Sequence, residues 1–219
     1  MRNLPAYITA ACAAVLTVFM IGDRLGTWGG RTGSTPPPPV TDAGEWKKLL
    51  TPASVVADSN SVVSMVIFTD YQCPWCARLE QSIAELRAEY GYRLAVHYRH
   101  RPLVSIHPQA VTAATIAECA REQGSFPAMH ALLFEKQDSL ATLATLELGR
   151  RAEVPDLESF DECVRVERPK SRLEIDQRDA EENDVGGTPV GFVNGKRFRG
   201  ALTASALDSL IGRKGRWRR

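Results

Sequence analysis

Cys73-Pro74-Trp75-Cys76 constrains this chain more than any other stretch, because it stands where a strand pattern hands over to a helix pattern. Upstream, residues 62–68 are a short apolar, β-branched run of the kind that forms a buried strand. Downstream, Cys76, Leu79, Ile83, Leu86 and Tyr90 follow the spacing of one helix face, and Gly91 is placed to end it. The pair therefore falls at a helix N-terminus, with Pro74 suited to the first turn. Unpaired backbone N–H groups and the positive end of the helix dipole stabilise a thiolate there. Cys73, at the tip, is expected to be the exposed sulfur of low pKa, and Cys76, one turn in on the buried face, the sheltered one. Dithiol–disulfide exchange requires that division.

A single CxxC is also half of a zinc site, which would need two further ligands. The remaining cysteines, Cys12, Cys119 and Cys163, have no paired spacing, and His97 and His100 on the following strand are the only nearby candidates. The strand-to-helix setting favours redox chemistry, so no metal ligand is assigned.

Residues 3–22 carry no charge, and 7–21 are almost wholly apolar. Twenty helical residues span about 30 Å, the core of one bilayer. Arg2 precedes the stretch, which orients the N-terminus to the cytoplasm and exports the rest. No small-residue cleavage signal follows, so residues 1–22 are expected to be an anchor, centred on 5–22, in preference to a removed signal peptide. Cys12 lies within the apolar stretch and is expected to be a membrane-embedded residue. The exported part then holds four cysteines in an oxidising space where disulfides persist.

Residues 23–44 are Gly- and Pro-rich and are expected to form a linker, its Pro36–Pro39 segment a stiff stub of roughly 12 Å. A single folded domain is expected over 45–212, followed by a basic tail at 213–219. Within the domain a second strand is expected around 93–100. A helical block follows over about 106–184. The chain then returns to strand at 189–193, turns at Asn194-Gly195 and pairs through 196–199, before a last helix at 203–211. The expected architecture is α/β: a mixed sheet with an all-helical subdomain inserted in its middle.

These features together resemble the thioredoxin-like fold, and specifically the DsbA-type thiol:disulfide oxidoreductases with a helical insertion. Phe68-Thr69-Asp70-Tyr71-Gln72-Cys73-Pro74-Trp75-Cys76 is similar to that family's active-site segment. His107-Pro108-Gln109-Ala110 and the stretch 117–124 are similar to its insertion, and Gly186-Gly187-Thr188-Pro189 followed by Phe192-Val193-Asn194-Gly195 to its cis-proline loop and terminal hairpin. The resemblance implies that Cys73 is the nucleophile, Cys76 the resolving thiol and Pro189 a cis-proline facing Cys73. Pro74, Trp75, Thr188 and Pro189 would line the substrate site. It implies no cofactor. Two departures stand out. The strongly oxidising members carry a histidine between the cysteines, whereas Trp75 supplies no charge. Thioredoxin itself has a buried acid six residues before its first cysteine, where this chain has Ile67. Proton transfer at Cys76 then falls to water or another acid, with Asp70 a candidate, although Asp70 reads more simply as a loop residue that orients the backbone.

Cys119 and Cys163 lie on expected amphipathic helices and point to a structural disulfide within the insertion; two separate buried thiols are the alternative. His97, His100 and His130 read as strand or helix-surface residues, and His107 marks a helix start. The tail holds five positive charges while the whole chain is only +1, so the folded domain is acidic and nucleic acid is not an expected partner. The expected partners are exported proteins with cysteine thiols and a membrane redox protein of DsbB or vitamin K epoxide reductase-like type. Residues 1–22 would hold the domain at the extracytoplasmic (periplasmic) face of the inner membrane. A reductase or isomerase arm fed by a membrane electron donor, and a non-enzymatic peptide- or copper-binding module, are the alternatives.

Overall fold

The computed structural model describes residues 41–42, 44–50, 54–56 and 63–212. The expected anchor (1–22), most of the linker and the basic tail lie outside the described residues. Among the described residues, no helix is long and apolar enough to cross a membrane.

Among the described residues, thirteen strands and α-helices occur in order: β1 (Thr41–Asp42), β2 (Ser54–Val56), β3 (Val63–Thr69), α1 (Pro74–Tyr90), β4 (Leu94–His100), α2 (Ala110–Glu122), α3 (Phe126–Glu135), α4 (Thr145–Arg151), α5 (Leu157–Arg165), α6 (Lys170–Glu182), β5 (Val190–Val193), β6 (Lys196–Arg199) and α7 (Ala204–Ile211). They build one six-stranded sheet of order β1-β6-β5-β3-β4-β2. β3 and β4 are parallel, joined by α1, and the other pairings are antiparallel. α2 to α6 form the insertion between β4 and β5. The mixed sheet with an inserted helical subdomain is the architecture expected from the sequence. The linker expected to run to residue 44 needs correcting at its end, because Thr41 and Asp42 pair with Arg197 and Lys196 as an edge strand.

β3 is buried along nearly its whole length because both faces of the central sheet are covered. Met65 and Ile67 join Leu79, Ile83 and Leu86 of α1, whereas Val66 and Phe68 point the other way to Val190, Phe192, Ala180 and Leu49. The Asn194-Gly195 turn has positive φ at both residues (49° and 79°), which suits a tight hairpin. Gly191 cannot carry a side chain, since a Cβ there would lie 2.2 Å from the Phe198 ring.

The insertion is fastened by charge. Arg99 of β4 is fully buried and donates to Asp176 of α6 (2.7 Å), with Asp179 2.8 Å away. Asp176 also accepts from the His100 N–H (2.9 Å), and His100 Nε2 meets Glu118 of α2 at 2.9 Å. Removing one member of such a buried set costs about 3–5 kcal/mol, because its partner is left uncompensated. His100 lies on the strand expected for it, whereas His130 is buried and not the helix-surface residue the sequence pattern implied. β4 is covered on both faces, so its polar side chains are enclosed and must be paired. His130 lies within an aromatic cluster with Tyr71, Tyr98, Phe126 and Phe134. A disulfide joins Cys119 of α2 to Cys163 of α5, with Cα atoms 5.9 Å apart.

Candidate active site

The chain leaves β3, turns at Asp70–Gln72 and enters α1 at Pro74, with Cys73 as the capping residue in extended conformation. Its carbonyl accepts from the Cys76 and Ala77 N–H groups (3.0 and 3.2 Å), and its own N–H donates to the Asp70 carbonyl (3.1 Å). Both cysteines are free thiols. Cys76 is 1% exposed, and so, nearly, is Cys73 at 4%. The exposed tip expected for Cys73 is thus corrected. The cause lies far away in sequence: the Thr188 carbonyl sits 3.4 Å from the Cys73 sulfur, on a loop whose Thr188–Pro189 bond is cis. What remains open to solvent is the rim, with Trp75 55% exposed and stacked under the Arg78 guanidinium (5.6 Å), and Pro74 beside it.

The two sulfurs differ sharply in acidity. Cys73 is drawn from 9.0 to about 6, chiefly by the hydrogen bond from the Cys76 thiol, with help from the Thr188 side chain and the backbone N–H groups of Cys76 and Trp75 against the opposing effect of burial. Cys76 is pushed well above the ordinary thiol value, first by burial and then by Cys73 itself, with the Thr69 hydroxyl beside it working in the opposite direction. A low-pKa thiolate thus arises without a histidine between the cysteines.

Asp70 acts as the loop residue anticipated for it. One carboxylate oxygen accepts from the Gln72 N–H (2.8 Å). The other accepts from the Leu103 N–H (2.8 Å) and lies 2.8 Å from His107 Nδ1. The turn before the cysteines is thereby tied to the loop that opens the insertion. No sequence signal points to Gln137, in a short turn after α3, whose side-chain amide donates to the carbonyls of Tyr71 (2.7 Å) and Cys73 (3.0 Å). Gln72 similarly accepts from the Gln109 N–H. The two histidines named above as candidate zinc ligands are engaged elsewhere, His97 with the Leu50 carbonyl (2.9 Å) and His100 with Glu118. Among the described residues, no cluster of three or more His, Cys, Asp or Glu side chains assembles in metal-binding fashion.

A buried, high-pKa thiol behind a low-pKa thiol, under a cis-proline loop and at the mouth of a βαβ unit, is the arrangement of a thioredoxin-type redox centre. The family model described as thioredoxin matches residues 52–213, and the chain belongs to that family. The oxidised BdbD of Bacillus subtilis superposes with a TM-score of 0.66 at 19% identity, covering 82% of this chain and 96% of that one. A thioredoxin-like oxidoreductase from Silicibacter pomeroyi gives 0.62 at 22% identity, over 78% and 98%. Both likenesses show a shared thioredoxin-like fold. By sequence, the chain is 38% identical over 151 residues to the Na(+)/H(+) antiporter NhaA 3 of Salinispora tropica, covering 68% of this chain and 22% of that protein. The chain spans about a fifth to a third of the length of the curated relatives it matches.

Proposed function

We propose that the protein is a thiol:disulfide oxidoreductase that oxidises cysteine thiols of exported proteins through a Cys73–Cys76 disulfide. The observation that carries this reading is the asymmetry of the two sulfurs, with Cys73 drawn to about 6 while Cys76 is held protonated behind it. In the disulfide form a substrate thiolate attacks Cys73 Sγ, the Cys73–Cys76 bond breaks, and Cys76 leaves and takes up a proton. A second substrate thiolate then attacks the substrate sulfur of the mixed disulfide, and Cys73 departs as the stable thiolate. Two electrons pass from the substrate to the cysteine pair. An extended substrate strand lies along Thr188 and Pro189, with Pro74 and Trp75 forming the opposite rim. Reaching Cys73 requires the substrate to displace the contact that the Thr188 carbonyl makes in the dithiol form.

The buried Cys119–Cys163 disulfide supports an oxidising compartment, and with it placement outside the cytoplasm. In the same reading, residues 5–22 anchor the domain, and a membrane protein of DsbB or vitamin K epoxide reductase-like type reoxidises it. Relatives that carry a similar segment within Na(+)/H(+) antiporters agree with work beside a membrane. The test is the equilibrium of the Cys73–Cys76 pair with glutathione, together with oxidation of a reduced, two-cysteine peptide. A potential near those of the oxidising members supports the assignment. A potential near that of thioredoxin favours a reductase or isomerase arm, since about 30 mV is a tenfold change in equilibrium. Unchanged peptide oxidation by Cys73→Ser would favour a binding module instead.

A further inference from the structure

The walls that flank Cys73 carry very little charge. Between Tyr71 and Ala84, which takes in the end of the active-site turn and the first turns of α1, the only charged residues are Arg78 and Glu80. Glu80 faces inward: its side chain is 15% exposed, accepts from the Tyr98 hydroxyl (2.8 Å) and lies 3.3 Å from His130 Nε2. The Thr188 carbonyl approaches Cys73 from the other side, and the stretch from Val185 to Gly195 that contains it has no charged residue. Arg78 is exposed. The two walls thus present a single charge to solvent, and it is positive.

That cation is unspent. Elsewhere on the helices arginines at the surface are matched with a carboxylate three residues earlier, as in Arg121–Glu118, Arg150–Glu147 and Arg165–Glu162. The residue three before Arg78 is Trp75, and the guanidinium lies over the indole, 5.6 Å from the ring centroid. Pro74, Gln81 and Ser82, at the other neighbouring positions on that helix face, supply no acid. Among the described residues, no carboxylate forms an ion pair with Arg78. An arginine stacked on an aromatic face keeps its N–H fork available for a carboxylate. Arg78 lies five residues along from Cys73, a rise of about 7.5 Å, and two residues of extended chain cover about 7 Å. On the side of the insertion, Lys136 is already paired with Glu135 (2.7 Å), and Asp138 is exposed.

Resting on the thiol-exchange reading above, we propose that the Trp75–Arg78 pair selects substrates that carry a carboxylate one or two residues from the reacting cysteine. An aspartate or glutamate side chain there accepts from the Arg78 guanidinium while the peptide backbone runs along Thr188 and Pro189, and the indole covers the apolar stem of that side chain. A lysine at the same place meets like charge. The contact lies at the open rim, so it speeds encounter and sets the register of the peptide, and salt weakens it. Thiol chemistry is left as it is, because the acidity of Cys73 comes from Cys76, Thr188 and backbone N–H groups.

The experiment uses the full-length protein in its Cys73–Cys76 disulfide form and reduced two-cysteine peptides that differ only in having Glu, Gln or Lys beside each cysteine. Peptide oxidation is followed by chromatography of acid-quenched samples. Each rate constant is divided by that of the same peptide with hydroxyethyl disulfide, a neutral reagent, which cancels differences between the peptide thiols. At low ionic strength the expected order is Glu above Gln above Lys, with about five- to tenfold between the extremes. The spread should shrink below about twofold in about 0.5 M salt. Arg78→Lys keeps the order, Arg78→Gln brings the three peptides within about twofold of one another, and Arg78→Glu reverses it. An order that survives in Arg78→Gln, or no order in the wild type because Asp138 offsets Arg78, overturns the proposal. So does an equal loss for all three peptides in Arg78→Gln, which is what altered Cys73 acidity or a merely structural role would produce. Failure of the wild-type protein to oxidise any of the peptides would instead overturn the exchange reading itself.

Discussion

Replacing Cys76 by alanine removes the group that contributes most to the acidity of Cys73. The wild-type sulfur, drawn to about 6, is about 90% thiolate at pH 7, against about 1% for an ordinary thiol. In Cys76→Ala the Thr188 contact and the N–H of Trp75 persist, while burial continues to oppose ionisation. With its largest stabilising hydrogen bond gone, Cys73 should titrate between about 7 and 8. The assay is the pH dependence of iodoacetamide modification, followed at the peptide containing Cys73 so that Cys12 does not contribute. At pH 6 the thiolate fraction falls from about one half to a few per cent, but the more basic thiolate is intrinsically more nucleophilic by about fivefold, so the rates differ less than the fractions. The midpoint, not the absolute rate, is therefore the quantity to read. Cys76 is silent across this range in the wild type because its own pKa is raised. A wild-type midpoint near that of an ordinary thiol, or one unmoved in the variant, would refute the account of how the site activates Cys73.

The same acidity makes the reduced protein's stability pH-dependent. The folded-state pKa of Cys73 lies below its ordinary value, so its contribution is full above about 9 and is lost as pH falls through about 6. Thermal unfolding of the reduced form relative to the oxidised form should accordingly gain between pH 6 and 8, and a flat difference would contradict this. Cys119→Ala/Cys163→Ala opens a loop of 44 residues and should cost roughly 4 kcal/mol on the chain-entropy estimate, measurable by denaturant titration. A loss under about 1 kcal/mol would mean that the bridge constrains little. Gln137→Ala leaves the Tyr71 and Cys73 carbonyls without their side-chain donor and should cost about 1–3 kcal/mol while altering the Cys73 alkylation profile. An unchanged profile would show that the insertion does not set the geometry of the thiol.

Much of the fold was legible because its signals are local. Gly91 ends α1 with φ 59°, Asp156 caps α5 by accepting from the Ser159 N–H, and Thr203 caps α7 by accepting from the Ala206 N–H. Asn194-Gly195 marks the hairpin in the same way. The missed elements have no local signal. β1 and β2 are two and three residues long and become strands only by pairing with β6 and β4, whose partner residues lie at least 40 positions away in the chain. The burial of Cys73 belongs to the same class, since it depends on a loop 115 residues downstream. Periodicity also misplaced His130, which turns inward among Tyr71, Tyr98, Phe126 and Phe134 instead of lying on the helix surface.

The insertion therefore does more than lengthen the chain. Gln137 grips the backbone on either side of Gln72, the loop at 101–107 is held by Asp70, and Glu118 reaches back to His100 behind the thiols. Each contact joins the helical subdomain to the turn or strands that carry Cys73 and Cys76, and none of them touches the open rim of Trp75. On the proposed exchange reaction the rim and the cis-proline loop would meet the substrate, while the insertion holds backbone on either side of Gln72 and the loop tied to Asp70. Substitutions at Trp75 are expected to act through substrate binding in the proposed reaction, whereas substitutions at Gln137 in the insertion should act through the geometry and acidity of Cys73.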